Sequence, residues 1–184
     1  MDKADERVAI FIDGSNFYHC LKEDFGTAAI DFGKLAECLA SGRQLLRIYY
    51  YNAPVNAKTN PEQYKRQQQF FDRLRNTPYL SLRLGRLETR RGSTVEKGVD
   101  IAIAVDMLKM AFRDLYDTAI LISGDGDFAY AAEAVKDLGK HVENAMPKSG
   151  ISFHLKSACD RFILLDENFL RECFIGDPSR SRSK

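Results

Sequence analysis

No long apolar run occurs in this chain of 184 residues. The longest spans about five or six residues, against the roughly 20 that a membrane-spanning helix requires. That excludes a helical membrane protein and predicts no membrane partner. The amino-terminal MDKADER is charged and lacks an apolar segment, so no secretion signal is read there and a cytoplasmic location is expected. C-x-x-C pairs are missing too. Cys20, Cys38, Cys159 and Cys173 are scattered, which argues against a zinc site and for reduced thiols, most of them in the core. His19, His141 and His154 are equally isolated, so a metal in this chain is expected on oxygen ligands. There is no internal repeat, no interdomain linker, and no Ser-His-Asp or Cys-His constellation for nucleophilic catalysis. Nor is there an excess of one charge: the formal net charge is +1.

What is present is an ordinary globular composition, 45% hydrophobic and 29% charged, of a length that fits one domain. The expected domain covers residues 7–173, after a tail of residues 1–6. A basic segment, residues 174–184 ending in PSRSRSK, is expected to be disordered. Short β-branched or apolar runs predict strands at 7–13, 45–53, 117–125, 141–147 and 161–167, and an alternating one, nearer an edge, at 80–88. Helical spacing predicts helices over 31–40, 61–75, 100–112 and 127–138. The helix at 100–112 is apolar around most of its circumference and should be covered on more than one side. Gly139 is placed to stop the last of them. Strands alternating with helices make βα units. The fold class is therefore α/β, a three-layer Rossmann-like domain around a mostly parallel sheet of five to six strands.

In such sheets ligands gather beyond the carboxyl ends of the strands. Asp13 ends the first strand; Asp125 ends the strand run at 117–125, and Asp127 opens the helix after it. Asp100 stands at the start of the apolar helix, where its side chain could reach the same edge. If the two strands are neighbours, these carboxylates converge, and several ionised carboxylates at one place need a compensating cation. Mg²⁺ or Mn²⁺ would supply it, and a water-carrying ion of that kind can activate a nucleophile for phosphoryl chemistry. Each aspartate also has a plainer reading. Asp100 and Asp127 could be helix caps contributing about 1 kcal/mol each, and Asp13 before Gly14 could be turn chemistry.

Other candidates are graded by what surrounds them. Asn16, one turn into the first helix, could bind a water or a phosphate, or simply cap. Ser123 could donate to a carboxylate or to substrate, or serve the turn. Lys97 could neutralise a phosphate. With Arg83, Arg86, Arg90 and Arg91 it forms a basic stretch, offset by Glu88 and Glu96, that could grip an RNA backbone. Asp106 lies six residues beyond Asp100, roughly 240° around the helix, and reads as structural. Asp166 ends the last strand. Tyr49, Tyr50 and Tyr51 alternate across a strand, so core packing is the default and base stacking the exception. Residues 65–75 carry Lys65, Arg66, Arg73 and Arg75, a solvated helix face.

Three blocks of the sequence resemble a known family. VAIFIDGSNFY at 8–18, EKGVDIAIAVDML at 96–108 and AILISGDGDFAYAAEAVKDLGKHVE at 119–143 look like the signature blocks of the NYN domain, a branch of the PIN-like nuclease superfamily, in its LabA-like group. The resemblance covers roughly residues 7–166. It implies a PIN-like Rossmannoid fold and a Mg²⁺- or Mn²⁺-dependent endoribonuclease site built from Asp13, Asp100, Asp125 and Asp127, with Asn16 lining it. The implied substrate is single-stranded or structured RNA, and a homodimer is left open. PIN nucleases often carry glutamate where this chain has Asp100, one methylene shorter. The alternative is a non-catalytic RNA-binding or regulatory module of the same fold. A dehalogenase-like phosphatase ranks third, because it needs an Asp two residues after its nucleophile and here Asp13 is followed by Gly14 and Ser15.

Overall fold

The computed structural model describes residues 3–90 and 93–176; the side chains of residues 3, 87–90 and 93–97 are left out of the description. The chain opens with β1 (Arg7–Asp13), whose residues from Val8 onward are all buried. No alternation survives there because both faces of the strand are covered. Val8, Ile10 and Ile12 pack on one side of the sheet, and Ala9 and Phe11 on the other. Then follow α1 (Gly14–Phe25), α2 (Phe32–Ala40), β2 (Gln44–Asn52), α3 (Pro61–Arg75) and β3 (Leu80–Leu84). The second half contains α4 (Val99–Phe112), β6 (Thr118–Ile122), α5 (Ala129–Asp137), β7 (His141–Met146), α6 (Phe153–Ala158), β8 (Arg161–Leu164) and α7 (Glu167–Leu170). Between the halves lies a separate antiparallel hairpin of β4 (Arg86–Arg90) and β5 (Ser93–Lys97).

The six-stranded sheet has the order β3-β2-β1-β6-β7-β8, and every pairing in it is parallel. α1, α2, α3 and α7 cover one face, with Phe17, Leu35, Phe71 and Leu170 in that core. α4, α5 and α6 cover the other, with Ile103, Met107, Val135 and Leu155. This is the expected three-layer α/β architecture, and it is wholly parallel. Among the described residues no helix is long and apolar enough to cross a membrane.

Three local expectations need correcting. The strand expected over 80–88 is two strands. Gly85 still donates its N–H to the Asn52 carbonyl at the end of β2, at 2.8 Å. Beyond it the chain leaves the sheet and pairs Arg86 with Lys97 instead. The alternating pattern fits either partner, so the pattern alone could not find the break. The helix expected over 127–138 begins later, because Gly126–Phe128 form a 3-10 turn capped by the Asp125 carboxylate. It does stop before Gly139, whose φ is +75°. Finally, α4 is not covered all round. Ile101 and Phe112 are 71% and 80% exposed, and Val105 is exposed with them.

The amino-terminal edge of the sheet is closed by ion pairs. Arg7 donates Nε and a terminal nitrogen to the two oxygens of Asp117, at 3.0 and 2.7 Å, and its backbone N–H donates to Asp117 at 2.8 Å. Those bonds hold the Asp117 carboxyl down at about 2. Asp114 and Lys140 complete the group. Arg43, buried, bridges Glu6 and Glu143 at 3.1 and 3.0 Å and caps the α2 carbonyls of Leu39 and Ala40. A carboxylate depressed in the folded state stabilises above its unfolded value and loses that contribution as pH falls through the folded one. Replacing Asp117 by Asn should therefore lower stability by about 1 kcal/mol at pH 7, after allowance for solvent screening. Urea denaturation at stepped pH should show the difference from wild type vanishing between about 4 and 2.

Candidate functional site

In β1 and β6, which run side by side, Ile12 stands level with Ile122. Asp13 and Ser123, one residue further, therefore meet at the carboxyl edge. This is also where the strand order reverses, with the chain building towards β3 on one side and towards β8 on the other, the place where open α/β sheets bind ligands.

The backbone there is fixed by a chain of hydrogen bonds. Asp13 caps α1, accepting from the Asn16 N–H at 3.1 Å. Its other oxygen accepts from the Ser123 hydroxyl at 3.2 Å. The same hydroxyl oxygen accepts from the Asp125 N–H at 3.2 Å, and the Asp125 carboxylate accepts from the Asp127 N–H at 2.9 Å. Across the gap, the Asn16 side-chain carbonyl accepts from the Gly124 N–H at 2.9 Å. From β7, the buried amide of Asn144 donates to the Leu121 and Ser123 carbonyls at 3.1 and 2.9 Å, holding the end of β6. Two glycines permit this closeness. A Cβ on Gly14 would fall 2.4 Å from the Tyr50 ring, and one on Gly124 would fall 2.1 Å from the Gly150 carbonyl oxygen.

Asp100 arrives from the opposite layer. It lies in the first turn of α4, where Gly98, at φ +83°, is the N-cap and no side chain caps the helix. Asp13, Ser15, Asn16, His19, Cys20 and Asp100 line one cavity of about 350 Å³. Asp125 and Asp127 approach from the turn after β6. They are close enough for their charge to be felt. Burial raises the Asp13 carboxyl; the bonds from Asn16 and Ser123 pull it down, and the charges of Asp100 and Asp125 push it up again. Asp100 is raised by partial burial and then by Asp125 and Asp127. Among the described residues none of the four pairs with a lysine, arginine or histidine.

The donor set is all carboxylate, the chemistry of hard cations such as Mg²⁺ or Mn²⁺. Among the described residues, though, no group of three or more His, Cys, Asp or Glu side chains is placed so that it could hold a metal ion. An ion bound at this edge would have to keep several of its own waters, as Mg²⁺ does.

The remaining candidates sort themselves by contact. Ser123 is fully buried, so its hydroxyl serves the Asp13 carboxylate and the Asp125 backbone N–H and does not face solvent. Asp106 accepts from the Tyr51 hydroxyl at 2.9 Å and lies 3.5 Å from Arg83, a structural role as expected. Asp166 caps α7, accepting from the Phe169 N–H at 2.8 Å. Tyr49, Tyr50 and Tyr51 are all buried, which removes base stacking on any of them. On α3, Arg66 and Arg75 are exposed and pair with Glu62 and Asp72. Arg91 lies outside the described residues, as do the side chains of Arg90 and Lys97, whose backbones belong to β4 and β5. His19 was missed by reading histidines only as metal-ligand pairs. Its signal was its spacing, three residues after Asn16 on one face of α1.

Comparison with known proteins agrees with the geometry. The model of the family described as the NYN domain matches residues 7–166. A protein of Synechococcus elongatus, "Low amplitude and bright protein LabA", is 27% identical over 169 residues, covering 88% of this chain and 84% of its own. A crystal structure of a Vibrio parahaemolyticus protein of unknown function superposes with a TM-score of 0.76 at 24% identity, covering 92% of this chain and 98% of the other. That second likeness carries the fold alone.

Like charges around a buried carboxylate weaken the folded state, and asparagine caps a helix as well as aspartate does. Asp13→Asn should accordingly raise the melting temperature by a few degrees at pH 7 in a chelating buffer. Differential scanning calorimetry would register a fall instead if Asp13 were only a cap and a hydrogen-bond acceptor.

Proposed function

The chain belongs to the NYN domain family, and from that premise we propose that it is a metal-dependent endoribonuclease hydrolysing RNA phosphodiester bonds. NYN domains are PIN-like nuclease domains, generally metal-dependent and RNA-binding. What supports the reading is that Asp13 and the Asp125 turn share the Ser123 hydroxyl at the switch point between β1 and β6, with Asp100 lining the same cavity as Asp13, and that Asp13 and Asp100 are raised first by burial and then by the charges of neighbouring aspartates. Such repulsion is tolerable where a divalent ion is the intended partner.

Asp13, Asp100, Asp125 and Asp127 would hold Mg²⁺ or Mn²⁺. When bound, such an ion supplies an activated water and neutralises charge on the phosphoryl oxygens. The protein groups do the positioning. The Ser123 hydroxyl orients Asp13, and Asn16 holds the Gly124 turn, so the carboxylates keep their places without a substrate. Asn16 also faces the cavity and can meet a phosphate oxygen. Arg90, Arg91 and Lys97 would grip the backbone outside the site, giving affinity without sequence choice. The four free cysteines support a cytoplasmic setting.

Labelled RNA incubated with Mg²⁺ or Mn²⁺ should be cut internally by the wild-type chain. The rate should fall roughly 100-fold or more in Asp13→Asn and Asp125→Asn, at or beyond the upper end of what losing an outer-shell partner does, and chelation should abolish it. Undiminished cleavage by both variants would overturn the assignment. Melting temperature that climbs with added Mg²⁺, in a chain that cuts no RNA, would instead favour the binding or regulatory module.

A further inference from the structure

Beside the acidic edge, aromatic surface is left in water. Phe153 is 83% exposed, Tyr130 is 75% exposed, and His154 is exposed with them. The hydrophobic effect opposes this placement, and the core does not require it, because α6 anchors itself through Leu155 and Ala158.

The Tyr130–His154 pair stands beside the turn that carries Asp125 and Asp127, and Phe153 precedes His154 at the start of α6. A Cβ on Gly126, between Asp125 and Asp127, would meet the Ser152 hydroxyl at 3.2 Å and the His154 side chain at 3.9 Å. Tyr130 stands three residues after Asp127. Its ring meets that of His154 edge-on, with centroids 6.4 Å apart at 71°. The wall is also rigid. Gly150 lies flush against Gly124, the Ser149 N–H donates to Asp24 at 2.9 Å, and the Ser152 hydroxyl caps α6 at Leu155, 3.3 Å away. Rings held on a stiff wall lose little freedom when something stacks on them. Lys156, exposed on the same helix, lies over another ring, its Nζ 4.7 Å from the Phe162 centroid.

We propose that Phe153 and the Tyr130–His154 pair form a stacking platform for unpaired bases of an RNA strand. The inference rests on the RNA-directed reading of the acidic site and deepens it by naming the substrate form. Bases inside a duplex have their faces covered by neighbours, so only single-stranded or splayed bases can use these rings. Stacking also tolerates any base, which suits a site gripped through its phosphates.

The chain has no tryptophan, so Phe153→Trp keeps the aromatic surface and makes a sole fluorescent reporter at the platform. A single-stranded uridine decamer should quench its emission, and a blunt RNA duplex should not. Measured by anisotropy, Phe153→Ala and Tyr130→Ala should each weaken decamer binding by roughly tenfold. Tyr79→Ala, an exposed ring just before β3 at the far edge, should leave binding as in wild type. Decamer binding without quenching, quenching by the duplex alike, or unchanged affinity in both alanine variants overturns the platform; RNA cleavage could still stand. Quenching by a chain that never cuts RNA supports the platform and defeats the nuclease reading. Absence of any RNA binding defeats both, and marks the rings as a protein-docking surface.

Discussion

The parallel pairing of β1 with β6 is the constraint from which the rest follows. Parallel strands consecutive in sequence need only one crossover, as β1 and β2 do through α1 and α2, but residues 7–13 and 118–122 are brought together across more than half the chain. Once they run side by side, everything that follows each of them emerges at one edge. The chain after β1 must turn into α1 at once, and Gly14 makes that turn possible beneath the Tyr50 ring. The chain after β6 must turn against Gly150, and Gly124 makes that possible. Asp13 and the Asp125–Asp127 pair are carried to one place by backbone geometry, before any attraction between side chains is considered.

The two edges of the sheet are then electrostatic opposites. At the amino-terminal edge Asp117, Asp114, Glu6 and Glu143 each have an arginine or lysine within contact distance. At the carboxyl edge the four aspartates have none among the described residues, and Asp13 and Asp100 are raised first by burial and then by the charges of neighbouring aspartates. A fold selected for stability alone would neutralise both edges. The paired edge secures the sheet, and the unpaired edge is where the proposed function would spend stability.

The sequence was legible where one local rule governs. β1 and β6 are apolar throughout because both faces are buried, and such runs announce themselves. Asp13 stood at a strand end by simple inspection, whereas Asp125, read as the end of its strand, lies in the turn three residues past the end of β6. Pro61 opened α3 and Gly139 closed α5 as their conformational preferences dictate. Legibility failed where a residue has two partners to choose from. The segment after Leu84 could continue along β2 or fold back on itself, and only the geometry at Gly85 decides. His19 carries no motif; it enters the cavity because α1 turns Asn16 and His19 the same way. The tyrosines at 49–51 read correctly as core, yet no pattern in the sequence announces the exposure of Phe153 and Tyr130.

That last failure has a physical cause. Periodicity reports which residues are apolar, and it cannot report whether the fold supplies enough cover for all of them. In α6 the helix is six residues long, so it presents a single turn to the core. Leu155 and Ala158 fill that contact, and Phe153, at the opposite side of the turn, has no second layer to meet. The same shortage leaves Ile101, Val105 and Phe112 in water on α4, at spacings of four and seven residues along one stripe. In both helices the sequence specifies more apolar surface than one chain can bury. Beside the aspartates the surplus is what the proposed stacking would use; along α4 it is simply surface that a single chain does not cover.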